Sequence, residues 1–575
     1  MPDPVSILER PQRWDTPFSP DMTETAVDRL LTIPPFSQMV ADKFPRRMPL
    51  RDILRNDTRI LNFRQGEIIM RQGDYGTSAF LILSGGARVV LNPGLPAELL
   101  GRKEPVKKGV WQTLAQLWSG RRTPESFPRS WRRGIKGVGA RQNENQEVRL
   151  FLQDVPRVLD EHRTDAMEEG DFFGEIGALS RMPRTSTIFA DRDITVELLE
   201  IRWQGLRDLM KYDDALRTHI NKIYRERALA SYLNAHALFR HLNSNQRAQV
   251  ASQIEFGTYG DYDWSGDYKR LAQAGTRKPE QEPVIVQQGD YPNGVVLLRA
   301  GFGRVGQKFG AGERTLNYIG AGQAFGLREI AHNWRAPAAP VNMQYTLRAI
   351  GYTHVLIVPT RVMEEIVLPS LPAPELPPLV ETAAGSEEPA AAAVRRETVS
   401  AETLEFLTAN RFFNGTATMV IDLDRCTRCD DCVRACAATH DNNPRFLRHG
   451  PVSGRLMVAN ACMHCTDPVC MIGCPTGAIH RESFAGQVII NPATCIGCKA
   501  CYNNCPYEAI RMVDLRDEHG AFVVDQELKP ISKATKCDLC VENRGGPACE
   551  RACPHGALAR INLNNLDQLA QWLKR

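Results

Sequence analysis

The residues best suited to chemistry are cysteines. All sixteen lie between Cys426 and Cys553, and the 425 residues before them contain none. They fall into four groups of four: Cys426, Cys429, Cys432 and Cys436; Cys462, Cys465, Cys470 and Cys474; Cys495, Cys498, Cys501 and Cys505; and Cys537, Cys540, Cys549 and Cys553. Pro475, Pro506 and Pro554 follow the fourth cysteine of the last three groups. Such spacing suits [4Fe–4S] clusters, and sixteen thiolates make four with none left over. Disulfides are the competing use, but a spacing that recurs in every group favours reduced thiolates holding iron.

A chain of 575 residues is too long for one core, so roughly three to five domains are expected. A net charge of +4 argues against a nucleic-acid coat, and no nucleic-acid partner is expected. The opening residues show no charged stretch leading into an apolar one, and no run of about 18 apolar residues follows anywhere. The expectation is a cytoplasmic chain that meets a membrane only through a partner.

The elements before the cysteines begin with a helical segment at 1–55. Ile68-Ile-Met70, Ala79 to Leu83 and Ala87 to Val90 are short apolar runs separated by the turn glycines Gly73 and Gly85, a pattern predicting a small β-barrel or jelly roll. Gly170-Asp-Phe-Phe-Gly174-Glu175-Ile176-Gly177 and Pro183-Arg184-Thr185-Ser186-Thr187 then carry a specific resemblance. They are similar to the phosphate-binding cassette of cyclic-nucleotide-binding domains, the family of the catabolite activator protein and the protein kinase A regulatory subunit. Glycines admit a ligand close to the backbone, and a guanidinium fork suits a phosphate. The resemblance implies cAMP or cGMP held by Gly174, Glu175, Ile176, Gly177, Arg184, Thr185 and Ser186, with Glu175 on the ribose and Arg184 on the phosphate. In a module that has lost its ligand, Glu175 and Arg184 would instead form an internal ion pair. This first module spans 56–235 and contains a long insertion, 91–165, rich in Lys and Arg around Trp111, Trp118 and Trp131. The insertion reads either as a solvated loop or as a docking arm. Val148 to Leu152 looks like the barrel resuming.

Residues 203–242 read as one long helical connector. No DNA-reading helix-turn-helix follows it; a second copy of the module does, at 236–370. Val284 to Tyr291 parallels Ile68 to Tyr75, and Gly320 to Gly326 parallels Gly170 to Gly174. Leu327-Arg328 displaces Glu329, and Met343 stands where the phosphate arginine belongs. This copy is expected to be degenerate and used for packing.

A Pro/Ala/Glu linker, 371–400, leads to the cysteine-bearing part, 401–575. Cys436-Ala-Ala-Thr-His-Asp-Asn-Asn-Pro444 and Cys462-Met-His-Cys465-Thr-Asp-Pro468-Val-Cys470 resemble the four-cluster iron–sulfur subunits of molybdopterin oxidoreductases (dimethyl sulfoxide reductase, formate dehydrogenase) and of some membrane hydrogenases. That resemblance implies crossed ligation. Cys426, Cys429 and Cys432 would share a cluster with Cys553 (set one), and Cys537, Cys540 and Cys549 with Cys436 (set two). Cys462, Cys465 and Cys470 would share one with Cys505 (set three), and Cys495, Cys498 and Cys501 with Cys474 (set four). His440, His464, His480 and His555 read as neighbours of the cysteines rather than ligands.

The fold expected is multidomain α+β: two β-barrel (jelly-roll) nucleotide-binding-like modules with helical connectors, then a tandem ferredoxin-like domain. No flavin, nicotinamide or molybdopterin fingerprint accompanies it, so no catalytic site is expected in this chain. The function expected is an electron-transfer subunit of a hetero-oligomeric oxidoreductase, with a flavin/pyridine-nucleotide, molybdopterin or nickel–iron catalytic partner and regulation by a cyclic nucleotide. A redox-sensing scaffold is the alternative.

Overall fold

A computed structural model describes residues 8–15, 17–90, 140–142, 148–150, 159, 162, 164–180, 183–191, 195–260, 264–273, 282–310, 312–380, 399–440, 442–482, 486–517, 520–541 and 546–574. The tryptophans Trp111, Trp118 and Trp131 and most of the basic insertion lie outside these residues, as does 381–398 of the linker.

The chain opens with two helices that bury one face each. Thr23 caps Glu24–Leu30 by accepting a hydrogen bond from the Ala26 N–H, and Val27 and Leu30 point inward. Leu50–Asp57 buries Leu50, Ile53 and Leu54, the spacing of one helical stripe.

The first module pairs Thr58–Arg64, Thr195–Arg202, Ser78–Ser84 and Phe172–Phe173 in one antiparallel sheet. Ile68–Met70, Thr187–Ala190, Ala87–Val90 and Thr164–Met167 form a second. Period-two alternation divides the first sheet between two cores. Leu81, Leu83, Leu199 and Ile201 meet the helices, whereas Phe80, Ile82, Val196 and Leu198 meet the second sheet. Among the described residues no sheet closes on itself, so the expected barrel is two apposed four-stranded sheets here. Val148–Leu150 does not resume either sheet. It pairs with Ala140–Gln142, and Thr164–Met167 is the strand that returns beside Ala87–Val90.

The helical connector is broken. Trp203–Tyr212 ends at Asp213, whose carboxylate accepts from the Leu216 N–H to start Asp214–Ala235. This second helix is shared: Leu216 and Ile220 enter the first core, Leu229 and Leu233 the core of the second module. There a six-stranded antiparallel sheet is built around two long strands, Gly294–Phe309 and Thr346–Pro359. Residues 371–380 remain attached to this module. Leu371 and Val380 are buried, and the Val380 N–H donates to His332 Nδ1.

In the cysteine-bearing part, Ser400 caps helix Ala401–Ala409. Strand Thr418–Asp422 then pairs with Leu558–Ile561 from the far end of the sequence. Between them in sequence lie three hairpins among the described residues: Val452–Ser453 with Leu456–Val458, Ile479–Arg481 with Val488–Ile490, and Arg511–Asp514 with Ser532–Thr535. Among the described residues no helix is long and apolar enough to cross a membrane.

Candidate functional site: four cysteine sets beside a nucleotide-like cassette

The structure brings together cysteines that the sequence keeps far apart. Cys426, Cys429, Cys432 and Cys553 line one cavity of about 330 Å³, with His555 at its wall. Cys462, Cys465, Cys470 and Cys505 line another of about 350 Å³. Cys474, Cys495, Cys498 and Cys501 line a third of about 320 Å³. Cys436, Cys537, Cys540 and Cys549 gather as well. Burial pushes Cys436 up to about 11 and Cys549 up to about 12, and the nearby thiolates of this set push the same way. Burial likewise lifts Cys432 to about 11 and Cys501 to about 12. Thiols crowded this way would stay protonated without a cation among them. The donor chemistry therefore fits metal, which deprotonates the thiols it binds.

Local conformation explains how short loops bring the sulfurs together. Asp430 (φ 62°) and Lys499 (φ 63°) start the helices Asp431–Ala438 and Ala500–Asn504 from the left-handed region, folding the preceding cysteine loop back over the helix. Backbone N–H groups already point at sulfur. Arg445 N donates to Cys436 Sγ at 3.2 Å, Ala557 N to Cys553 Sγ at 3.3 Å, and Ala509 N to Cys505 Sγ at 3.4 Å. Each helix also fixes the order of the sets. Cys432 and Cys436 share Asp431–Ala438, linking set one to set two. Cys501 and Cys505 lie on and just after Ala500–Asn504, linking set four to set three. Arg560 joins the middle, donating from Nη2 to Cys537 Sγ at 3.0 Å and from Nη1 to the Cys462 carbonyl at 3.0 Å. The four sets thus run one, two, three, four. Cys429 and Cys498, in the outer sets, are exposed.

Of the histidines, His440 Nε2 lies 3.7 Å from Cys540 Sγ and from Asp538 Oδ1. His464 is buried, and its Nδ1 accepts from the Val488 N–H at 3.1 Å. Burial lowers its pKa well below the usual range, helped by Lys536, Arg560 and Arg481, so it is neutral. His480 Nδ1 lies 3.1 Å from the Ala478 carbonyl.

The cassette of the first module is assembled around Arg184, which is buried. Its guanidinium donates from Nη1 to the Gly174 carbonyl (2.5 Å) and from Nη2 to the Ser78 carbonyl (2.6 Å). Side chains at Gly76, Gly174 or Gly177 would crowd it. Burial lowers the Arg184 pKa to about 10, opposed by Glu200, Glu175 and Asp74. Glu175 starts the short helix Glu175–Ser180 and is 1% exposed. Its ion pair runs to Arg227 at 3.7 Å rather than to Arg184, and its Oε1 has no hydrogen-bond partner among the described residues. Ile176 is buried beside it, while Thr185 and Ser186 are half-buried. The second module repeats this scaffold without its charge. Met343 N donates to the Asp290 carbonyl and Gly289 N to the Met343 carbonyl, as Arg184 N does to Asp74 and Gly73 N to Arg184. Methionine thus occupies the turn of the arginine, and Leu327 follows Gly326 where Glu175 follows Gly174.

The two halves are not merely tethered. Trp264 Nε1 donates to Asp467 Oδ2 at 2.9 Å, and Arg411 lies over the rings of Trp264 (4.6 Å) and Tyr268 (5.0 Å). Phe413 packs against Phe302 (4.6 Å) and Tyr318 (4.9 Å). From the first module, Arg202 and Arg207 donate to the Thr476 and Ile472 carbonyls at 3.3 and 2.9 Å. Tyr75 lies under Arg481 with 4.7 Å between the guanidinium carbon and the ring centre. A side chain at Gly486 would collide with that ring.

Known proteins resemble the cysteine-bearing part. Residues 454–562 match the family model described as a 4Fe-4S dicluster domain. The electron transport protein HydN of Escherichia coli (strain K12) is 33% identical over 170 residues, covering 27% of this chain and 94% of that protein. The NADH-dependent phenylglyoxylate dehydrogenase subunit beta of Aromatoleum evansii is 30% identical, covering 27% of this chain and 33% of that protein. A solved structure of the regulatory domain of Toxoplasma gondii PKA with cAMP aligns with 60% of this chain and 93% of its own length, at 13% identity and a TM-score of 0.19. Through its cysteine-bearing part, the chain belongs to the family of 4Fe-4S ferredoxin-like electron-transfer proteins.

Proposed function

We propose that this chain is the iron–sulfur subunit of a cytoplasmic oxidoreductase complex, passing single electrons along four [4Fe–4S] clusters. The reading rests on one observation above all: sixteen cysteines gather into four sets of four, each with the membership that crossed ligation requires. Sets one to four would hold the clusters, and the groups when bound supply one-electron chemistry. The protein's own part is to aim N–H groups at sulfur, exclude water from the inner sets and leave Cys429 and Cys498 at the surface, where a donor and an acceptor can approach. A catalytic subunit of flavin/pyridine-nucleotide, molybdopterin or nickel–iron type would feed or drain the row. Anaerobic reductive titration tests this reading. One iron per cysteine and four reversible one-electron centres are expected; irreversible bleaching on reduction would sink it.

The unpartnered Glu175 oxygen favours an added role for the first module. A buried acceptor suits the 2′-hydroxyl of a cyclic nucleotide, and Arg184, bonded to the carbonyl of the residue before Glu175, is the cation for its phosphate. In this reading cAMP or cGMP regulates the subunit from the first module, and the second module, carrying Met343, serves as packing. Calorimetry with each nucleotide tests it; no heat would leave the module structural.

A further inference from the structure

Three cations sit among the inner cysteine sets with no side-chain ion pair to a carboxylate among the described residues, although the Glu550 carboxylate accepts from the Arg560 backbone N–H. Arg481 and Lys536 are 6% and 3% exposed. Arg560 is half-buried, and its Nε is sealed from solvent. Their donors reach carbonyls and sulfur. Arg481 Nη2 bonds the carbonyls of Cys465 and Thr466, Lys536 Nζ those of Val488 and Cys537, and Arg560 bonds Cys537 Sγ and the Cys462 carbonyl. They converge on one stretch of backbone: Lys536 bonds the Val488 carbonyl, the Val488 N–H donates to His464, Arg481 bonds the carbonyl of the next residue, Cys465, and Arg560 spans sets two and three. The outer sets differ. Arg448, beside Cys426 and Cys432, is ion-paired to Asp430 at 2.5 Å, and Lys499 near set four is exposed.

A buried cation is costly unless an anion compensates it. Three such cations at neighbouring sets call for more negative charge than Glu550 and Asp467 bring, and clusters in sets two and three would supply it. Reduction adds a negative charge to a cluster, which a fixed cation in a low-dielectric interior stabilises strongly. Paired or exposed cations do so weakly, because a carboxylate or water screens them. We propose that Arg481, Lys536 and Arg560 hold the reduction potentials of clusters two and three above those of one and four, so that the middle of the row takes the first two electrons. The electrons come one at a time from an external donor at an outer set, with no bond made or broken. This inference rests on the four-cluster reading.

The test is a potentiometric titration of the full anaerobic chain followed by electron paramagnetic resonance, with iron measured in parallel. At two electrons per chain the native protein should show a spin-coupled signal, because sets two and three are neighbours. Arg560→Gln should lower the reduced-to-oxidised ratio of the inner clusters at fixed potential at least tenfold, about 59 mV for a one-electron couple. The outer two should not move, and Arg560→Lys should restore most of the shift. Lys536→Gln provides the same reading if Arg560→Gln fails to take up iron. Full iron with magnetically isolated signals at two electrons, or variants that move all four midpoints alike, would overturn the inference alone. Iron well below one per cysteine in the native chain would overturn the four-cluster reading and the inference with it.

Discussion

Replacing Glu175 by Gln should move stability and ligand binding in opposite directions. The carboxylate is 1% exposed, its nearest cation is 3.7 Å away, and one oxygen has no partner among the described residues. Burial raises its pKa above the ordinary 4.5, with Arg227 opposing. A carboxyl group whose folded pKa is raised contributes its full stability below the unfolded value and loses it as pH rises through the folded one. Glu175→Gln has no such loss. The variant should therefore gain stability over the native chain by about 1 kcal/mol or more near neutral pH, and the gap should close as pH falls toward about 5. Binding should suffer instead. A hydrogen bond to a charged acceptor contributes about 1.5–3 kcal/mol, so affinity for a cyclic nucleotide should fall roughly 10- to 150-fold. Thermal unfolding across pH 5 to 8 (about the range iron–sulfur protein tolerates) and calorimetry at one pH measure the two effects. A variant equally destabilised at every pH, binding nucleotide as the native chain does, would refute the reasoning.

Arg184→Met should abolish nucleotide binding and lower the unfolding temperature by several degrees: the backbone turn survives, as at Met343, but Glu200, Glu175 and Asp74 lose a cation and two carbonyls lose a donor; calorimetry and a melting curve check it. Phe413→Ala removes a ring, 1% exposed, from between Phe302 and Tyr318. It should cost about 3–5 kcal/mol and split chemical denaturation into two transitions, monitored by tryptophan fluorescence and cluster absorbance. In iron-free chain at pH 8, exposed Cys429 should be alkylated at least about a hundredfold faster than Cys549, whose pKa burial lifts to about 12; mass spectrometry of timed samples reads the ratio.

Much of the site was legible because its signals are local. Cysteine spacing and the glycines of the cassette act within a few residues of one another, and matching Thr346 to Thr187 placed Met343 at the arginine turn. The hydrogen bonds from Gln72 N to Thr187 Oγ1 and from Gln288 N to Thr346 Oγ1, both 3.1 Å, follow that match. Barrel closure was not legible: glycine turns mark where strands end, not which edges meet. The Pro/Ala/Glu composition suggested separated halves, but Trp264 meets Asp467, 203 residues away, and no local periodicity carries such a contact. Arg560 was equally hidden, since in Leu558-Ala-Arg-Ile561 it has the look of an ordinary outward-facing strand residue. Lys536 had the better clue, standing directly before Cys537.

On the four-cluster reading, the aromatic ring of Tyr75 would insulate the electron path. It comes from the first module, yet it covers the guanidinium that holds the Cys465 backbone. Water reaching that edge would hydrate Arg481, weaken its field at the third set and give small oxidants a way in. The N-terminal half would in this sense be a wall of the proposed wire. A chain cut between the halves would carry the same sixteen cysteines and conduct at different potentials.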